Sequence, residues 1–108
     1  MSSSIQVIEP TGILDSTKAE EFRQSVEDLL QNGAEVILVD LKDITFIDSS
    51  GLGTLVVLLK KIRGLNRTFC ICSMNDQVRM LFELTSMDRV FEIYEDRQAF
   101  ESAKVKVS

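Results

Sequence analysis

The run Val36-Ile37-Leu38-Val39, bracketed by Glu35 and Asp40, constrains the fold more than any other stretch. Successive side chains of a strand point to opposite faces, so four apolar residues in a row leave neither face for water. Such a strand belongs in the middle of a sheet with helices packed against both sides.

Around it, strand and helix patterns alternate. Ile5-Gln6-Val7-Ile8 reads as a short strand closed by the turn signal Pro10-Thr11-Gly12, and Ile13-Leu14 begin a second strand. A helix opens at Asp15-Ser16-Thr17, where Thr17 and Glu20 fit a capping box, and stops at Asn32-Gly33. A second helix runs from about Ser50 to Arg63, with Leu52, Leu55, Val56, Leu59 and Ile62 on one face. Thr68 to Cys72 form a strand, Asp76 to Leu84 a helix and Val90 to Tyr94 a last strand. Asp96 caps a final helix through about Lys104. The order β-β-α-β-α-β-α-β-α predicts an α/β fold: a largely parallel central sheet of about five short strands with about four helices. The first two strands are joined too tightly to pair in parallel, so the sheet is expected to be mixed. With 108 residues and no internal repeat, the chain reads as one domain over residues 5–104. Residues 1–4 are expected to be a disordered tail and 105–108 a second tail.

The net charge is −5, from 12 basic and 17 acidic residues. Nucleic-acid binding requires a basic footprint on the phosphates. The one basic cluster, Lys60, Lys61, Arg63 and Arg67, sits near a helix end, where cations suit the helix dipole. No nucleic-acid partner is expected. No apolar run approaches the roughly 20 residues that span a bilayer, and Met1-Ser2-Ser3-Ser4 lacks the features of a signal peptide. A cytoplasmic location with no membrane partner follows as an expectation. Cys70 and Cys72 stand two apart on a strand, which suits buried reduced thiols better than a disulfide or a metal pair.

The chain contains no histidine. That removes the commonest general base, the commonest metal ligand and every Ser-His or Cys-His nucleophile. Gly51-x-Gly53 lacks the third glycine of a dinucleotide fingerprint, and no phosphate loop is present. Asp40, ending the central strand, raises the thought of a phospho-acceptor receiver domain. That design wants an acidic pair after the first strand and a lysine after the last, whereas Glu9 stands alone and the last strand ends Tyr94-Glu95-Asp96. Asp15 and Asp48 could be drawn as an acid–base pair, but both fit helix starts better. The chain is therefore expected to be no enzyme, with no catalytic residue, no metal site and no cofactor.

Phe46-Ile47-Asp48-Ser49-Ser50-Gly51-Leu52-Gly53 breaks local rules, because two glycines fall in the first turn of an otherwise good helix. Each costs about 1 kcal/mol relative to alanine in a helix interior. One reading makes Asp48 or Ser49 the N-cap and has the glycines bring the helix close to the sheet. The other reading is functional. Helical spacing sets Ser50 on a face with Gly53, Thr54, Val57 and Lys61, which are not the strongly apolar positions, so that face looks outward. Phosphate on Ser50 would sit among the free N–H groups of a helix N-terminus, adding about −1.5 to −2 charge without unfolding the domain. The neighbours on this side read as mostly acidic or neutral, offering that phosphate little beyond the helix N–H groups.

Asp48-Ser49-Ser50-Gly51-Leu52-Gly53 resembles the signature of the STAS domain, the fold of bacterial anti-sigma factor antagonists. Gly12-Ile13-Leu14-Asp15 and the stretch from Asn75 through Phe91 resemble two further regions of that family. The likeness runs from about Ile5 to Ala103. It implies that the second serine of the motif, here Ser50, is the phospho-acceptor. It also implies a partner that is both anti-sigma factor and serine kinase, bound by the unphosphorylated antagonist and released on phosphorylation, with a phosphatase resetting the cycle. Asp15, Asp48, Ser49, Gly51, Gly53, Thr54 and Val57 would then form the partner-binding surface. The alternative is an unregulated STAS subunit, a structural or regulatory part of a larger complex such as a transporter, with Ser50 merely starting a helix.

Overall fold

The computed structural model describes residues 4–104. Its elements are β1 (Ile5–Ile8), β2 (Gly12–Leu14), α1 (Ser16–Gln31), β3 (Val36–Asp40), β4 (Ile44–Ile47), α2 (Ser49–Gly64), β5 (Thr68–Cys72), α3 (Asp76–Leu84), a 3-10 turn (Met87–Arg89), β6 (Glu92–Tyr94) and α4 (Arg97–Lys104). The expected tails at 1–3 and 105–108 lie outside the described residues. Ser4, counted with the first tail, has a carbonyl that accepts from the N–H groups of both Glu35 and Val36.

The apolar strand β3 is indeed central, in a sheet ordered β1-β3-β5-β6. Ile37 and Val39 pack into the larger core, with Phe22, Val26 and Leu30 of α1, Leu55, Leu59 and Ile62 of α2, and Val78 and Phe82 of α3. Leu38 points the other way, into a smaller cluster with Cys70, Cys72 and Phe100 of α4. Both cysteines are free. Burial pushes the Cys70 thiol up to about 12 and raises Cys72 as well, so neither becomes a thiolate at neutral pH.

Fold class is as the residues imply, but the sheet is not mixed. Every strand ladder among the described residues is parallel, and the six strands form two sheets. The short link does keep β1 and β2 from pairing with each other. The chain resolves this by sending them to different sheets, β1 beside β3 and β2 beside β4. The second correction is β4 itself, which lies inside the segment expected to be a connection. A two-stranded sheet is marginal on its own. Here α3 supplies a surrogate third strand along the free edge of β4. The Gln77 side-chain amide donates to the Ile47 carbonyl (2.9 Å) and accepts from the Ile47 N–H (3.0 Å). Asn75 Nδ2 donates to the carbonyls of Ile44 and Thr45, each at 3.2 Å.

Two boundaries also move. The cap of α1 is Asp15, which accepts from the Thr17 N–H and hydroxyl, so the Thr17–Glu20 box does not form. The last strand begins at Glu92 because the Phe91 N–H is taken by Met87 in the preceding turn. Asp96 does cap α4, accepting from Ala99 N–H at 2.8 Å.

Asp40 is the one buried polar side chain among the described residues. It accepts from the Lys42 N–H (3.1 Å) and from Arg97 (3.2 Å), and Arg97 also bonds Glu9. A buried carboxylate persists when it is paired and hydrogen-bonded. These bonds fasten α4 to the ends of β3 and β1.

Candidate functional site

Parallel pairing of β2 with β4 sets Leu14 opposite Ile47. The next residues, Asp15 and Asp48, therefore leave neighbouring strand ends together. Both take extended backbone angles (φ −134° and −102°) and both become N-caps, Asp15 of α1 and Asp48 of α2. Asp48 Oδ1 accepts from Gly51 N–H at 2.9 Å. Bonds from the Thr17 hydroxyl, then from the N–H groups of Thr17 and Lys18, hold the Asp15 carboxyl below the usual aspartate range despite partial desolvation. Asp15 and Asp48 thus start from adjacent strand ends, and each carboxylate caps its own helix.

Two helices that start side by side on parallel strands run side by side. Farther along, Lys61 of α2 reaches Glu27 of α1 at 3.2 Å. Nearer their starts lies an open groove of about 470 Å³, lined by Ser16, Ala19 and Arg23 from α1 and by Ser50, Gly53, Thr54 and Val57 from α2. Ser50 is exposed in the first turn of α2. Its carbonyl accepts from the Thr54 hydroxyl (3.1 Å), while its own hydroxyl has no hydrogen-bond partner among the described residues. Ser49 is also exposed but does not line the groove. Val57 is 61% exposed, a large apolar side chain left to water.

The two glycines divide. A Cβ on Gly51 would stand 2.2 Å from the Leu14 carbonyl oxygen, so Gly51 is where α2 presses on the end of β2. It is buried, and the expectation that it faces a partner is corrected: it holds the surface in place from beneath. Gly53 has nothing within 4 Å of where its Cβ would be, and it is exposed. The packing reading holds for Gly51, while Gly53 lies open on the outward face of the helix.

The side of the groove built by α1 was missing from the sequence reading. Ser16, Ala19 and Arg23 recur at helical spacing, two small residues and one long cation, and they could be found by asking which stripe of α1 faces the outward stripe of α2. Arg23 adds a cation to surroundings of Ser50 that the sequence reads as mostly acidic or neutral. Its guanidinium bonds Glu20 and, at 2.6 Å, Glu27. On the small sheet, the register partners Ile13 and Phe46 remain 46% and 43% exposed. No described helix is long and apolar enough to cross a membrane.

Residues 2–100 match the STAS domain family. A Thermotoga maritima protein described as a candidate anti-sigma factor antagonist is 32% identical over 92 residues, 84% of this chain and 81% of the relative. A crystal structure of a Thermotoga maritima protein described in the same way, at 30% identity, superposes with a TM-score of 0.85 over 93% of this chain and 86% of that one. The anti-sigma-B factor antagonist of Staphylococcus aureus is 29% identical over 84 residues, 78% of each chain. The antagonist SpoIIAA, at 18% identity, shares the fold in its unphosphorylated form (TM-score 0.78, 100% of this chain and 96% of that one) and in its phosphorylated form (0.70, 95% of each).

Proposed function

The chain belongs to the STAS domain family, and from that premise we propose that it is an anti-sigma factor antagonist switched by phosphorylation of Ser50. In its unmodified form it binds an anti-sigma factor that is also a serine kinase, and transfer of phosphate to Ser50 ends the binding. A phosphatase restores the unmodified form. The protein itself carries out no catalysis and acts in the cytoplasm.

The observation that carries this reading is the position of Ser50. Its hydroxyl is exposed at the mouth of the α1–α2 groove, beside the bare Gly53 and the exposed Val57. Asp15 and Asp48 cap the two helices at that end. A partner seated there covers a neutral hydroxyl at little cost. A phosphate in the same place is a dianion stripped of water, which costs several kcal/mol unless it is matched by cations. Reversing a partner from 99% bound to 99% free takes about 5.5 kcal/mol of differential binding. Burial of a dianion is of that order, whereas a charge on an exposed rim is not.

The reading is tested by the modification itself. Protein isolated from its native cells and fragmented in a mass spectrometer should carry a single phosphate on Ser50 in a fraction of molecules. Phosphate on Ser49 instead, or no phosphate in any growth state, would contradict it.

A further inference from the structure

Arg23 is the cation that shares a groove with Ser50, and the α2 residues between them are small or open. Helical side chains lean toward the helix N-terminus. The Arg23 guanidinium spans Glu20, one turn back toward the end where Ser50 stands, and Glu27, one turn on. We propose that phosphorylated Ser50 takes Arg23 as its counter-ion across the groove. This inference rests on the reading that Ser50 is the modified residue.

Present partners of Arg23 can release it. Glu20 has a side chain 74% exposed and returns to water readily. Glu27 keeps Lys61, at 3.2 Å, when Arg23 leaves. A guanidinium presents a rigid fork of N–H donors that suits a phosphate better than the point charge of lysine does. The other charges facing this end are the caps Asp15 and Asp48, which oppose a second negative charge on Ser50, while Lys61, which shares Glu27 with Arg23, does not line the groove. Arg23 is thus the cation placed to offset them. In pairing, its side chain comes to lie over Gly53 and Thr54. Phosphorylation then fills the groove as well as charging its mouth.

Phosphoserine installed at position 50 by semisynthesis allows the test without any kinase. The phosphorus resonance is followed through the second ionisation of the phosphate, which is near pH 6. In the otherwise wild-type protein the midpoint should lie about 0.5 pH unit below that of Arg23→Gln, the size of a partly exposed ion pair, with Arg23→Lys between the two. The Arg23 Nε–H resonance of the wild-type protein should move with the same midpoint. Amide spectra establish that each variant is folded. Equal midpoints for wild type and Arg23→Gln, or an Arg23 resonance indifferent to the phosphate, would overturn the assignment. Neither result depends on a partner, so failure here leaves the binding test of the switch untouched, and failure of that test leaves this one readable.

Discussion

A Cβ added at Gly51 would stand 2.2 Å from a backbone oxygen, and one added at Gly53, two residues on, would meet nothing within 4 Å. The same contrast runs along α2. Toward the protein, Gly51, Leu52, Leu55, Leu58, Leu59 and Ile62 are buried, and Asp48 secures the start of the helix. Toward solvent, Ser50, Gly53 and Val57 are exposed and Thr54 half-buried, around a groove that nothing in the fold fills. The inner flank is determined by folding, since each residue there has a contact that would be lost or a clash that would appear. On the outer flank the fold makes no such demand, so a hydroxyl, a bare glycine and an exposed valine have to be explained by what approaches them.

Paired substitutions test this division, beginning with the largest effect. Leu55→Ala removes a side chain with no exposure and should cost about 2–5 kcal/mol through the cavity it leaves, whereas Val57→Ala should change stability by less than about 0.5 kcal/mol. Urea unfolding curves give both values, and a Val57→Ala loss as large as that of Leu55→Ala would erase the distinction. Gly51→Ala should cost about 3 kcal/mol, because the obstacle is backbone and not a side chain that can swing aside. Gly53→Ala, by contrast, should hold stability or raise it by up to about 1 kcal/mol through helix propensity. Equal losses at the two glycines would show that Gly53 also serves packing. Asp48→Ala should cost about 1 kcal/mol as a lost cap, measured in the same way.

The smallest effect concerns pH. The carboxyl of Asp15 titrates below the ordinary aspartate value in the folded protein because the Thr17 hydroxyl binds its charged form. A depressed folded pKa contributes stability that is full above the unfolded value and is lost as pH falls through the folded one. The stability difference between wild type and Asp15→Asn should therefore shrink below about pH 4. A difference that grew on acidification would contradict the cap.

Much of this was legible in residues whose own pattern decides their place. Val36 to Val39 could only be central, and the outward face of α2 follows from helical spacing around Ser50. Where the sequence reading failed, a long-range partner made the decision. Ile44-Thr45-Phe46-Ile47 buries only its two ends, neither alternating nor continuous, and becomes a strand because β2 and the amides of Asn75 and Gln77 flank it. The tight link between β1 and β2 correctly excluded a parallel pair, but two separate sheets were the answer, not an antiparallel ladder. Nothing local separates Gly51 from Gly53, since the distinguishing atom, the Leu14 carbonyl, is 37 positions away in the chain. Arg23 was overlooked for the same reason: it lies on another helix, and only the packing of α1 against α2 brings it into the groove that Ser50 lines.

The account turns on whether the outer flank is the binding surface and Ser50 its switch, and one titration addresses both. Affinity for the purified cognate anti-sigma factor should be measured for the wild-type protein, its Ser50-phosphorylated form, Ser50→Ala and Ser50→Asp. The account expects Ser50→Ala to bind like wild type and the phosphorylated form to lose about 100-fold or more, roughly 2.7 kcal/mol, with Ser50→Asp between them because it carries one charge. An affinity for the phosphorylated form within about threefold of the unmodified protein, less than about 1 kcal/mol, would contradict it.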